Sequence, residues 1–143
     1  MFIGTVFVIM FTIMKRPMKI LIIDDEKFLI ENLSRYLKNR ISAKIKCADS
    51  ACVALELVDS EKFDLIICDL NISDQVDGEL IRKIHEKVPA QKFIVISAQE
   101  IPDHLRVESD LKIAAYFEKP FNISEFEKAI KQIEDVNFSN AEL

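Results

Sequence analysis

Short apolar runs alternate with helix-length amphipathic stretches along almost the whole chain. The pattern predicts strands at Lys19 to Ile23, Ala43 to Cys47, Asp64 to Cys68, Phe93 to Ile96 and Ala114 to Phe117, three of them almost continuously apolar. Continuous apolarity marks strands covered on both faces, the state of a parallel sheet with helices on either side. The intervening stretches read as helices. Glu26 to Asn39 lines up Phe28, Leu29, Leu33, Tyr36 and Leu37 on one stripe, Ser50 is placed to cap Ala51 to Val58, and Gly78 precedes Glu79 to Lys87. Pro102 suits the first turn of a helix reaching Leu111, and Ser124 with Glu127 reads as a capping box for Glu125 to Val136. Five β/α units result. With right-handed crossovers they predict an α/β fold, a doubly wound (βα)5 of flavodoxin-like type with five parallel strands in the order 2-1-3-4-5.

The residues that follow the strands carry the candidate chemistry. Asp24 and Asp25 end the first strand, Asp69 the third, Ser97 the fourth and Lys119 the fifth. In a parallel sheet all these ends share one edge, so three carboxylates, a hydroxyl and an ammonium converge there. In the order 2-1-3-4-5 the switch point lies between the first and third strands, which puts Asp24, Asp25 and Asp69 side by side. Carboxylates this close repel unless a cation offsets them. Oxygen ligands suit Mg²⁺ or Mn²⁺ rather than Zn²⁺, which prefers His and Cys.

Composition narrows the classes. The chain has 143 residues, enough for one domain and its core, with 30% charged residues and a net charge of -5. No Lys/Arg stripe argues for a nucleic-acid surface, and a protein partner is expected instead. With only Gly4 and Gly78, neither a dinucleotide loop nor a GxxxxGK phosphate loop can be built. His85 and His104 read as solvated polar residues. Cys47, Cys52 and Cys68 lack metal-type spacing and read as reduced core thiols, in keeping with a cytoplasmic setting.

The first 14 residues, MFIGTVFVIMFTIM, carry no charge, and Lys15, Arg16 and Pro17 close the run. A membrane-crossing helix needs about 20 apolar residues, and a secretory signal puts its positive charge ahead of the apolar core, not behind it. Residues 1–17 are therefore expected to be a leader foreign to the natural domain, with a membrane or partner anchor as the rival reading. The domain is expected over 18–137, followed by a short polar tail at 138–143.

Four segments carry a family resemblance. ILIIDDE at Ile20 to Glu26, LIICDLN at Leu65 to Asn71, IVISAQ at Ile94 to Gln99 and AYFEKPF at Ala115 to Phe121 resemble, in order and spacing, the signature segments of the receiver domain of two-component response regulators. The resemblance runs from about Lys19 to Val136. It implies that Asp69 accepts a phosphoryl group from a histidine kinase or a histidine phosphotransfer protein, with Mg²⁺ as cofactor and Mn²⁺ as a substitute. Asp25 would ligate the metal directly, Asp24 partly through water, Asp69 through its carboxylate and Asn71 through its backbone carbonyl. Ser97 and Lys119 would hold phosphoryl oxygens. Tyr116 would turn inward behind Ser97, changing a face formed by the fourth helix, fifth strand and fifth helix that binds a downstream protein. The peptide bond before Pro120 would be cis, and Asn71 and Gln99 occupy positions that tune phosphate lifetime.

The chain departs from the family pattern in places. Ile72 and Ser73 stand where relatives usually carry Met-Pro, Ser73 to Asp77 holds one extra residue, and Lys112 and Ile113 replace a common Gly-Ala. The reading is a stand-alone signalling phosphoacceptor, acting alone or in a phosphorelay, and not a turnover enzyme. Two alternatives remain: a degenerate receiver serving only as an interaction module, and a Mg²⁺-dependent aspartyl-phosphate phosphohydrolase. The hydrolase would want an Asp two residues beyond the nucleophile as general acid, where this chain has Asn71.

Overall fold

The computed structural model describes residues 3–6, 9, 16–73, 75, 78–108 and 110–142, with side chains as far as Asn137. Five strands, β1 (Met18–Ile23), β2 (Ala43–Ala48), β3 (Leu65–Asp69), β4 (Lys92–Ser97) and β5 (Lys112–Glu118), form one sheet in the order β2-β1-β3-β4-β5. Every pairing is parallel. The helices are α1 (Lys27–Arg40), α2 (Ala51–Ser60), α3 (Glu79–Lys87), α4 (Asp103–Val107) and α5 (Ile123–Glu142).

Alternation along the central strands builds two cores. Leu21, Ile23, Ile66, Cys68, Phe93 and Val95 face α2, α3 and α4, while Ile20, Ile22, Leu65, Ile67, Ile94 and Ile96 face α1 and α5. Successive side chains of a strand point to opposite faces, so apolar residues at every position are what a sheet covered on both sides requires. The edges read differently: in β2 the lysines Lys44 and Lys46 alternate with half-buried Ala43 and Ile45. Charged edge strands of this kind resist pairing with a second sheet.

Several local expectations are corrected. Phe28 is exposed, and Ile30 joins Leu33 and Leu37 in the buried stripe of α1. Cys47 and Cys52 are exposed, because β2 is an edge strand and α2 turns Cys52 outward; only Cys68 is a core thiol, and all three are free. The helix after Pro102 stops at Val107 instead of reaching Leu111. Sheet pairing takes over there: Lys112 pairs with Lys92 and Ile113 with Phe93, and a register shift at Ala114 then aligns Ala115 with Ile94. At α5 the capping box does not form. Asn122 Oδ1 accepts from the backbone N–H groups of Ser124 and Glu125, and Glu127 accepts from the Tyr36 hydroxyl. With no Gly or Pro to stop it, α5 runs 20 residues into the stretch expected as a polar tail.

Arg16, just before β1, makes a bidentate ion pair with Asp64 at 2.8 and 2.7 Å, and Asp64 Oδ2 also accepts from the Lys19 N–H at 2.8 Å. In the leader, residues 3–6 and 9 are helical, with Ile3, Val6 and Ile9 exposed. The rest of the leader, and Asp74, Val76 and Asp77 of the loop with the expected extra residue, lie outside the described residues. Among the described residues no helix is long and apolar enough to cross a membrane.

Candidate functional site

The C-terminal edge of the sheet gathers the side chains that the strand ends predict. Carboxylate oxygens of Asp24, Asp25 and Asp69 lie within 4.8 Å of one another. Asp24 and Asp69 are buried and Asp25 is exposed, so the cluster opens on one side. Each buried carboxylate is held at both oxygens. Asp24 Oδ1 accepts from the Glu26 N–H at 2.9 Å and its Oδ2 from Lys119 Nζ at 3.0 Å. Asp69 Oδ1 accepts from the Asn71 N–H at 2.8 Å and its Oδ2 from Lys119 Nζ at 2.9 Å.

Lys119 reaches the cluster from the loop after β5, where its peptide bond to Pro120 is cis. Behind that loop Phe117, Phe121 and Phe126 pack with ring centroids 5.0 to 5.8 Å apart, joining the β5 end to α5. The lysine also meets Glu26 Oε1 at 3.1 Å, a partner not singled out in the sequence. Its position directly after Asp24 and Asp25 was the available signal.

The electrostatics are unbalanced. Lys119 pairs with Asp24, Glu26 and Asp69, and Asp25 adds a fourth carboxylate beside them, so the fully ionised carboxylates exceed the one ammonium by three charges. Burial pushes the Asp24 carboxyl up to about 6, against the lowering effect of its Glu26 and Lys119 hydrogen bonds, and the neighbouring Asp69 adds to the rise. Burial alone would lower the Lys119 ammonium, but hydrogen bonds to Asp69, Asp24 and Glu26 outweigh it and hold the group above its usual range. Hard oxygen donors, an excess of negative charge and an exposed member at the mouth are the donor chemistry a small divalent cation takes. The three aspartates therefore fit such an ion.

Ser97 lies beside this cluster at the end of β4. Its hydroxyl donates to Asn71 Oδ1 at 2.8 Å and accepts from the Gln99 N–H at 3.1 Å. Tyr116 points to the other side of the sheet end, half-buried against the α2, α3 and α4 core. Its hydroxyl donates to the Leu105 carbonyl at 3.0 Å, and the Arg106 guanidinium stands 5.1 Å from its ring centroid. Of the residues singled out in the sequence, Asp24, Asp25, Asp69, Lys119, Asn71 and Ser97 thus form one connected group. Gln99 touches it through its backbone, and Tyr116, on β5, stands apart with its hydroxyl bonded to α4.

A sequence description of the response regulator receiver domain matches residues 20–131. The chain belongs to the response regulator receiver family. As a receiver it is 33% identical over 119 residues to the sensory transduction protein LytR of Staphylococcus haemolyticus, a match over 81% of this chain and 45% of LytR. It is 27% identical over 114 residues to sporulation initiation phosphotransferase F of Bacillus subtilis, covering 80% of this chain and 91% of that one. Among solved structures, the response regulator protein TrrA of Thermotoga maritima in complex with Mg(2+)-BeF superposes with a TM-score of 0.69 at 26% identity, over 81% of this chain and 98% of TrrA. The receiver spans about half the length of the first curated relatives it matches. Receiver domains are phosphoacceptor signalling modules that take phosphate from histidine kinases or phosphotransfer proteins and bind Mg²⁺ at an acidic pocket.

Proposed function

We propose that this receiver accepts a phosphoryl group on Asp69 with Mg²⁺ held by Asp24, Asp25, Asp69 and the Asn71 backbone carbonyl. The observation that carries the reading is the buried Asp69 carboxylate, fixed at one oxygen by the Asn71 N–H and at the other by Lys119 beside two further aspartates. A carboxylate held in this way is oriented for in-line attack on phosphorus. The P–N bond of a phosphohistidine breaks with its electron pair returning to the imidazole, and a P–O bond forms to Asp69. Bound Mg²⁺ supplies charge neutralisation for the phosphoryl oxygens. Lys119, already 2.9 Å from Asp69, follows the new negative charge onto a phosphoryl oxygen. Ser97 donates to another, and the change at the β4 end passes to Tyr116 and α4, altering the surface offered to a downstream protein.

The partners that fit are a histidine kinase or histidine phosphotransfer protein on the donor side and a protein target on the output side. The chain is read as a cytoplasmic single-domain receiver over 18–137, preceded by a leader foreign to it. Intact mass of the protein from its native host tests both points: a heavier chain carrying an effector domain defeats the single-domain reading, and a membrane-bound chain that keeps residues 1–17 defeats the foreign leader.

Incubation with Mg²⁺ and acetyl phosphate, followed by intact-mass spectrometry, tests the phosphoacceptor. The expected result is one added phosphoryl group, lost in Asp69→Ala and without Mg²⁺. No addition to a folded wild-type chain would favour a receiver that acts only as an interaction module, and sustained phosphate release over many turnovers would favour a hydrolase. Lys119→Ala is expected to accept the group without changing partner affinity.

A further inference from the structure

The side chain of Asn71 has a part that the mechanism above leaves unused. Its Oδ1 accepts from Ser97 Oγ at 2.8 Å and from the Ala98 N–H at 3.2 Å. Two donors converging on one atom identify it as the carbonyl oxygen of the amide. The backbone N–H of the same residue donates to Asp69 Oδ1 at 2.8 Å. Asn71 is thus fastened to the phosphoacceptor carboxylate at its backbone and to the β4 end at its side chain. Ser97 has one hydroxyl proton and Ala98 one amide proton. Neither can serve Asn71 and a phosphoryl oxygen on Asp69 together.

We propose that the Asn71 side-chain carbonyl is an internal stand-in for a phosphoryl oxygen. It takes the hydrogen bonds of Ser97 and Ala98 while Asp69 is free, keeps both donors ordered, and gives them up when a phosphoryl oxygen arrives. The inference rests on Asp69 being the phosphoacceptor and adds a positioning role for Asn71 that acts through Ser97. Bonds to a charged acceptor are stronger than bonds to a neutral amide, so the exchange runs toward the phosphoryl group. Each bond broken at Asn71 still subtracts from the gain, so Asn71 sets how much phosphate must contribute before Ser97 moves. A hydroxyl already bonded in the free state gains little on binding, whereas one left without an acceptor gains the whole bond.

The test is a double-mutant cycle between Asn71 and Ser97, read by titrating the full chain with Mg²⁺ and beryllium fluoride, an anion that mimics a phosphoryl group on a carboxylate. Asn71→Ala removes the carbonyl, and Asn71→Leu removes it while keeping the volume, so one can stand in if the other does not fold. Ser97→Ala is expected to weaken anion binding about fivefold more in either Asn71 variant than in the wild-type background, the worth of roughly one hydrogen bond. The Ala98 amide proton resonance should also differ between the free Asn71 variants and the free wild type and converge once the anion is bound. Equal Ser97→Ala penalties in both backgrounds overturn the inference and leave the phosphoacceptor reading standing. A folded wild type that binds no anion overturns both.

Discussion

Lys119 Nζ stands 2.9 Å from Asp69 Oδ2, although Asp69 ends β3 and Lys119 follows β5, with β4 between them. The ammonium also meets Asp24, beyond β1, so a single side chain ties three strand ends together. It is the only fixed positive charge that the described ion pairs bring to either buried aspartate.

Lys119→Met should therefore destabilise the fold. Removing one partner of a buried ion pair leaves the other charge without compensation, a cost of about 3 kcal/mol at neutral pH in the presence of a chelator. Magnesium should recover part of the loss by replacing the missing charge. Urea unfolding with and without Mg²⁺ measures both effects, and an unchanged midpoint would show that the cluster tolerates its own repulsion.

At the opposite edge of the sheet, Asp64 should contribute to acid stability. Burial would raise its carboxyl, but the hydrogen bonds and charge of Arg16 and the Lys19 N–H outweigh that and hold it below the usual carboxylate range. A group depressed in the folded state contributes stability that is present above its unfolded value and is lost as pH falls through the folded one. Asp64→Asn should cost about 1 to 2 kcal/mol at pH 7, at the low end for charged hydrogen bonds because Arg16 is largely exposed. The deficit should shrink toward zero as pH falls through the acid range. Chemical denaturation across that range checks it; a deficit independent of pH would assign the cost to packing.

Gly78, which opens α3, has φ +76, and a Cβ placed there would lie 2.8 Å from Leu105 Cδ2. Leu105 is fully buried, so its side chain gives way only by repacking its neighbours. Gly78→Ala should cost about 1 to 2 kcal/mol from the left-handed backbone alone. It should also disturb α4, seen as altered Tyr116 ring resonances. A full-stability variant with unchanged Tyr116 signals would remove the Gly78 to Leu105 contact as a constraint.

Phe126 is fully buried between Phe117 and Phe121. Phe126→Ala should destabilise by about 3 to 5 kcal/mol through lost burial and the cavity left behind. The same change should loosen the loop that carries Lys119, so hydrogen exchange at Phe117 to Phe121 is expected to rise more than at β1. Uniform acceleration across the sheet would instead indicate a global loss of stability.

Periods of two and 3.6 residues are local properties, so the strands, most helices and the strand order could be read from apolar spacing and the rules of parallel connection. The strand ends carrying Asp24, Asp25, Asp69, Ser97 and Lys119 followed directly, because parallel strands share one C-terminal edge. Other features depend on neighbours distant in the chain. Lys112 and Ile113 read as residues before a strand, and became strand because β4 offered them hydrogen-bond partners. Cys47 looked like a core thiol, and is exposed because β2 is an edge strand of the sheet. Glu127 looked like a capping partner, and instead met Tyr36 from α1.

The chain's order of residues by itself determined the sheet, its two apolar faces and the set of charged side chains at one edge, since each depends on spacing along a single segment. Only the folded molecule decided which oxygen each donor meets: that Lys119 spans Asp24 and Asp69, that Glu26 joins them, and that Asn71 rather than solvent receives the Ser97 hydroxyl. A hydrogen bond depends on fractions of an ångström between segments far apart in the chain, and only their packing against a common core sets that distance.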